Sequence, residues 1–256
     1  MADWLLMAIV IVLVAFVPSV LYLVWIRNTE RYSREPYGRL LIIFFFGAIV
    51  SVIIAIAFEL VLTTVFSQNI ERIYEYLGDN PTIPVLILAC VIAPFVEEAA
   101  KGLGIRRARR TMTELENGII YGAAVGLGFA ATENLLYETA ALAEGGAQAF
   151  IATAVVRSIS SALLHATSSS LLGLGIARKV LGKGGWFTYY LGAVAMHSVF
   201  NFMASFGVLY QDQLGDVAFT IGLGAALAIV FFGVSVMRSK IRALDSSSRG
   251  RAKPPL

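Results

Sequence analysis

Seven stretches of this chain, roughly 4–26, 40–66, 83–102, 117–137, 149–177, 185–209 and 217–237, each carry enough apolar residues to cross a bilayer as a helix. Backbone inside lipid must satisfy its own hydrogen bonds, so only helices and closed barrels span a membrane. Strand alternation is absent and the runs are too long for barrel strands. The reading is therefore an all-α, polytopic bundle of about seven transmembrane helices in a cell membrane. The third run reaches spanning length only by including Glu97 and Glu98. Composition agrees: 58% of residues are hydrophobic and 14% charged, against roughly a quarter charged in a soluble domain.

Charge placement sets an expected orientation. Arg27, Arg31, Arg34 and Arg39 follow the first run, and Lys101, Arg106, Arg107, Arg109 and Arg110 follow the third. Arg178, Lys179 and Lys183 follow the fifth, and the tail adds Arg238, Lys240, Arg242, Arg249, Arg251 and Lys253. Only Arg72 and Arg157 lie elsewhere, while Asp3, Glu71, Glu75, Asp79, Glu138, Glu144, Asp212 and Asp216 fall on the other side. The positive-inside rule then puts the amino terminus outside and the carboxyl terminus in the cytoplasm. The first run has no basic residue before it and no small-residue cleavage site after it, so it reads as a retained anchor.

The basic residues thus report topology and contact with anionic membrane lipid; nucleic-acid binding is not implied. Residues 1–240 read as one integral membrane domain with a motif-bearing core at about 80–205, and 241–256 as a disordered basic tail. The one cysteine, Cys90, excludes a disulfide framework and reads as packing.

Against this apolar background the ionisable residues stand out, because each costs several kcal/mol at membrane depth unless it is paired or used. In the third run, Glu97 and Glu98 lie four and three residues before Lys101, so both neighbour it on a helix. Consecutive residues diverge by ~100°, so one glutamate is expected to face a site while the other pairs. Pro94, just before them, opens or kinks the helix. The fourth run has Gly118, Gly122 and Gly126 at a spacing that admits a close helix neighbour, then Phe129 and Glu133 on one face with Asn134 beside them. The fifth places Arg157, Ser161 and His165 on a single face, and the sixth does the same for His197 and Asn201. An arginine there needs an anion, with Glu133 or a paired glutamate the natural partner; a purely structural Arg157 bridge is equally compatible. Glu59, in the second run, has no such companion. The first and seventh runs have no ionisable interior residue and read as packing helices around runs three to six.

In order, the motifs are EExxK (Glu97, Glu98, Lys101), FxxxEN (Phe129, Glu133, Asn134), RxxxSxxxH (Arg157, Ser161, His165) and HxxxN (His197, Asn201). This pattern resembles the PrsW family of membrane-embedded proteases, itself similar to the CAAX prenyl endoproteases and bacteriocin-processing proteases. The likeness covers roughly residues 80–205, and Glu133 stands where the prenyl endoproteases usually show a histidine. It implies site-1 cleavage of a single-pass membrane protein, typically an anti-sigma factor, in a stress-signalling cascade.

Peptide hydrolysis requires an activated water, an oxyanion stabiliser and a proton donor for the leaving amine. The expected roles are Glu97 as general base, Glu98 as second carboxylate, His165 as water orienter or metal ligand, and His197 with Asn201 as oxyanion donors. Two chemistries remain open: zinc held by His165, His197 and a glutamate, Glu133 being a candidate, or no metal, with Glu97 activating water directly. Two non-protease alternatives are a proton-coupled transporter or channel using the same buried groups, and a non-catalytic scaffold that binds membrane helices through the glycine-rich run.

Overall fold

The computed structural model describes residues 2–77, 80 and 82–247, and among them every regular element is a helix. Asp79, Arg249, Arg251 and Lys253 lie outside the described residues, as does the side chain of Asp3. α1 (Ala2–Arg27) is followed by α2 (Tyr37–Phe45), a π-helical turn (Phe46–Ser51) and α3 (Val52–Gln68), which together make one rod. Next come α4 (Ile70–Leu77) and α5 (Thr82–Ile87), a second π-helical turn (Leu88–Ile92) and α6 (Ala93–Arg107) with a short 3-10 turn. The long α7 (Leu115–Ile159), α8 (Ser161–Val180), α9 (Phe187–Leu214) and α10 (Val217–Ser247) complete the order.

Six runs among the described residues are long and apolar enough to cross a membrane, where seven were expected. The difference lies in one of them, Leu115–Val180, which the sequence reading divided into 117–137 and 149–177. Its 66 residues would reach ~100 Å if straight, about three times the hydrocarbon thickness. The run instead breaks at Gly146, whose φ of 68° leaves the helical region. Its two arms then pack antiparallel: Gly118 abuts Gly173, Gly122 abuts Ser169, and Gly126 abuts the His165 carbonyl. A Cβ at any of these glycines would enter the opposing backbone, so the absence of side chains is what lets the arms meet.

The first arm of α7 is the centre of the molecule. Every residue from Glu116 to Ala131 is buried. On another face, Gly128 meets the Phe44 carbonyl and Gly47 meets that of Val125, so the rod built on α2 and its π turn crosses α7 closely. α1 and α10 lie outside this layer. Each buries one stripe, through Ala15, Ser19, Leu23 and Ile26 in α1 and through Ala226, Val230, Val234 and Ile241 in α10. Large apolar side chains such as Leu6, Ile42, Leu60 and Phe232 point outward, as lipid contact requires and as water would penalise. The molecule is a multi-pass membrane protein.

Two further features depart from the sequence reading. The short α4 falls in a stretch read as a loop; Ile70, Ile73, Tyr74 and Leu77 repeat at helical spacing along it. The tail expected to begin at 241 is helical as far as Ser247, and 248–256 lie outside the described residues. Asp245 explains the extension. It is buried, and its carboxylate accepts the backbone N–H groups of Arg31 at 2.7 Å and Ser33 at 3.2 Å, docking the last helix on the loop after α1.

Candidate active site

α6 supplies the first three groups. Lys101 follows Glu97 and Glu98 by four and three residues, so its side chain lies between theirs on the helix surface. Its ammonium donates to Glu97 Oε2 at 3.1 Å and Glu98 Oε1 at 3.0 Å, and the lysine is fully buried. Upstream, Pro94 offers no N–H to complete the helical ladder, and the π turn Leu88–Ile92 sits just before it. Asn201 of α9 donates from Nδ2 to the Ala89 carbonyl at 2.8 Å, satisfying part of this irregular backbone.

α8 supplies His165, at the point where Gly126 admits the α8 backbone against α7. His165 Nδ1 lies 2.7 Å from Lys101 Nζ, and Nε2 lies 2.7 Å from Glu133 Oε2. An ammonium only donates, so Nδ1 accepts and the ring proton resides on Nε2, aimed at Glu133. His197 of α9 places Nδ1 3.2 Å from Glu98 Oε1, which assigns its proton to Nδ1 and turns Nε2 toward Glu97 Oε2, 3.9 Å away. The two imidazoles meet edge to face with centroids 4.9 Å apart.

The two adjacent glutamates have different surroundings. Glu98 is fully enclosed, its oxygens accepting from Lys101, His197, Ser168 at 3.0 Å and Ser169 at 3.3 Å. Glu97 instead lines a cavity of about 270 Å³ together with Glu133, Arg157, Ser161, His165 and Asn201. One carboxylate is held and one faces open space.

Arg157 comes from the second arm of α7. Its Nη2 lies 3.0 Å from Glu133 Oε2 and donates to Ser161 at 3.1 Å, while Nε donates to Asn134 Oδ1 at 2.9 Å. Of the anions open to it in the sequence, the structure pairs it with Glu133. Phe129 packs under Lys101, whose Nζ lies 4.2 Å from the ring centroid. Glu59 of α3 is half-buried, and its Oε1 has no hydrogen-bond partner.

All eleven residues singled out from the four motifs thus converge on one region built by α6, α7, α8 and α9. Four contributors were not anticipated. Ser168 and Ser169 lie three and four residues past His165, and that spacing within a run of three serines was the available signal. Tyr137, four residues past Glu133, stacks on the Arg157 guanidinium at 3.8 Å; its spacing was likewise available. The Ala89 carbonyl, being backbone, had no sequence signature.

The donor atoms of Glu97, His165 and His197 lie within 4.8 Å of one another. Two imidazoles and a carboxylate are the ligand types of an open catalytic zinc site. The expected trio named Glu133 in place of Glu97; here Arg157 and His165 Nε2 occupy Glu133. Lys101, however, stands at His165 Nδ1, so a divalent ion bound there would face an ammonium. With Lys101 in that position the trio does not fit a metal.

A family profile described as PrsW family intramembrane metalloprotease matches residues 35–237. The chain is also similar to "Protease PrsW" of Clostridioides difficile (strain 630), 36% identical over 129 residues, 49% of this chain and 49% of that protein. The match therefore spans about half the length of that relative. No solved structure matches.

Proposed function

We propose that this chain, which belongs to the PrsW family of intramembrane metalloproteases, hydrolyses a peptide bond of a single-pass membrane protein with water activated by Glu97. The observation that carries this reading is the asymmetry of the glutamate pair. Glu98 is saturated by four donors, whereas Glu97 faces the cavity with a cation and two imidazoles beside it.

In the proposed reaction, water sits between Glu97 Oε2 and His197 Nε2. A single water bridges 3.9 Å with hydrogen bonds of about 2.8 Å to each. Glu97 takes a proton as the water oxygen bonds to the scissile carbonyl carbon. Arg157 and the second amide hydrogen of Asn201 line the same cavity and stabilise the oxyanion. The C–N bond then breaks, and Glu97 returns its proton to the leaving nitrogen. Lys101 donates to Glu97 at 3.1 Å and so offsets the cost of burying a carboxylate beside the cavity. Glu98 and His197 keep the surrounding charges oriented.

The cavity lies at the end of the bundle away from the basic loops, since it is lined by Ala89 and Ala93, upstream of Lys101, and by Tyr137 and Ser205. With those loops in the cytoplasm it opens extracytoplasmically, which suits site-1 cleavage of an anti-sigma-factor-like protein.

A second reading has a specific observation in its favour. Among the described residues Glu97, Glu98 and Glu133 pair with two fixed cations, Lys101 and Arg157, so three carboxylates face two permanent positive charges. If Lys101 moved away, Glu97, His165 and His197 would hold zinc, which supplies a more acidic bound water.

Co-expression with candidate single-pass substrates tests the proposal. Wild type should release a truncated product, and Glu97→Ala, Glu98→Ala and His165→Ala should not. Cleavage that survives all three changes would remove this site from the reaction.

A further inference from the structure

A second cavity lies on the opposite side of the reaction centre. It has a volume of about 380 Å³ and runs between α6, α8 and the start of α9, from Glu98 at its inner end to Arg106 and Lys179 at its mouth. Glu98 and Arg106 are eight residues apart on α6, as are Leu172 and Val180 on α8, giving a slot ~12 Å deep at ~1.5 Å per residue. Ala99, Gly102, Leu103, Leu172, Ile176 and Val180 make its walls apolar. Tyr190 also lines it and donates to the Phe95 carbonyl at 2.8 Å, joining α9 to α6.

Its chemistry restricts what can enter. The slot is apolar to its inner end and basic at its mouth, a pairing that matches an apolar tail carrying an anionic head. An extended peptide would leave its N–H and C=O groups without partners against apolar walls. An acyl chain has no such groups. At the mouth, Arg106 and Lys179 have exposed side chains and no ion-pair partner among the described residues. Trp186 lies beside them, and tryptophan favours the headgroup level of a bilayer. Arg106 also borders a surface formed with Arg107, Arg109 and Arg110.

We infer that this slot binds one anionic phospholipid, with an acyl chain between α6 and α8 and its phosphate on Arg106 and Lys179. The chain end would lie against the wall behind Glu98, so lipid occupancy would support the packing of the catalytic centre from the side opposite the substrate cavity.

Native mass spectrometry of the purified full chain, titrated with phosphatidylglycerol or phosphatidylcholine, tests this without any activity measurement. Wild type should retain phosphatidylglycerol preferentially. The double variant Arg106→Gln with Lys179→Gln should weaken that retention roughly 10- to 30-fold and leave phosphatidylcholine unaffected. Gly102→Leu should block both lipids; a Cβ there meets the Leu172 side chain at 3.2 Å, so that side chain must give by a few tenths of an ångström, and a melting temperature near that of wild type is required of the variant before its retention is read. The control Arg109→Gln with Arg110→Gln should stay within about threefold of wild type. Equal retention of the two lipids, an unchanged Arg106/Lys179 variant, or an equal loss in the control would overturn the assignment.

Discussion

Lys101 Nζ lies 2.7 Å from His165 Nδ1, and this contact joins the acidic end of α6 to the histidine helix. The same ammonium binds both adjacent glutamates, so one fully buried cation organises three groups from two helices. Breaking a buried pair by removing one partner usually costs ~3–5 kcal/mol, because the surviving charge is left uncompensated. Lys101→Met should therefore lower the thermal midpoint of the detergent-solubilised protein clearly and abolish cleavage. A variant as stable and active as wild type would show that the ammonium is dispensable.

Glu98 should behave as a structural anchor. It accepts from Lys101, His197, Ser168 and Ser169, and hydrogen bonds to charged groups contribute ~1.5–3 kcal/mol each. Ser168→Ala should cost stability in about that range and reduce turnover less than tenfold. A loss of a thousandfold or more at normal stability would place Ser168 in the reaction itself.

Gly126 tests whether helix approach positions the chemistry. A methyl group there would strike the His165 carbonyl and push α8 outward while removing no catalytic group. Misplacement by ~1 Å can cost ~10²-fold in rate. Gly126→Ala should thus fall at least ~10²-fold in turnover, whereas Gly224→Ala, in open space on α10, should remain near wild type. Comparable activities would disconnect the glycine seam from the site.

Much of this arrangement was legible because lipid makes polar residues conspicuous. The spacing of Glu97, Glu98 and Lys101 gave their mutual contact, and the glycine period gave a close helix crossing. Which helix would fill that crossing was not readable, since the sequence does not say which backbone lies opposite Gly126. Glu97 was the expected base, but the reason that it rather than Glu98 faces the cavity was equally hidden. It depends on Ser168 and Ser169, about seventy residues away, enclosing Glu98. The span count differs only at Leu115–Val180, where the chain turns back at Gly146 without leaving the helix for a loop, so that two stretches separate in the sequence form one continuous run.

Metal removal separates the two chemistries. Protein stripped with a strong chelator and verified by elemental analysis should cleave at the wild-type rate, as the position of Lys101 against His165 implies. Loss of activity that returns with zinc would mean that Lys101 vacates that position in the working enzyme.

The most direct measurement is turnover of a single-pass substrate in proteoliposomes by wild type and Glu97→Gln, with the melting temperature of each recorded. The change is nearly isosteric and removes the proton-accepting carboxylate, while an amide oxygen remains to accept from Lys101 and Lys101 keeps its ion pair with Glu98. General-base catalysis typically contributes ~10²–10⁴-fold, so turnover should fall by at least ~10²-fold while the fold persists. A correctly folded Glu97→Gln protein that cleaves within tenfold of wild type would contradict the role of Glu97 as the base.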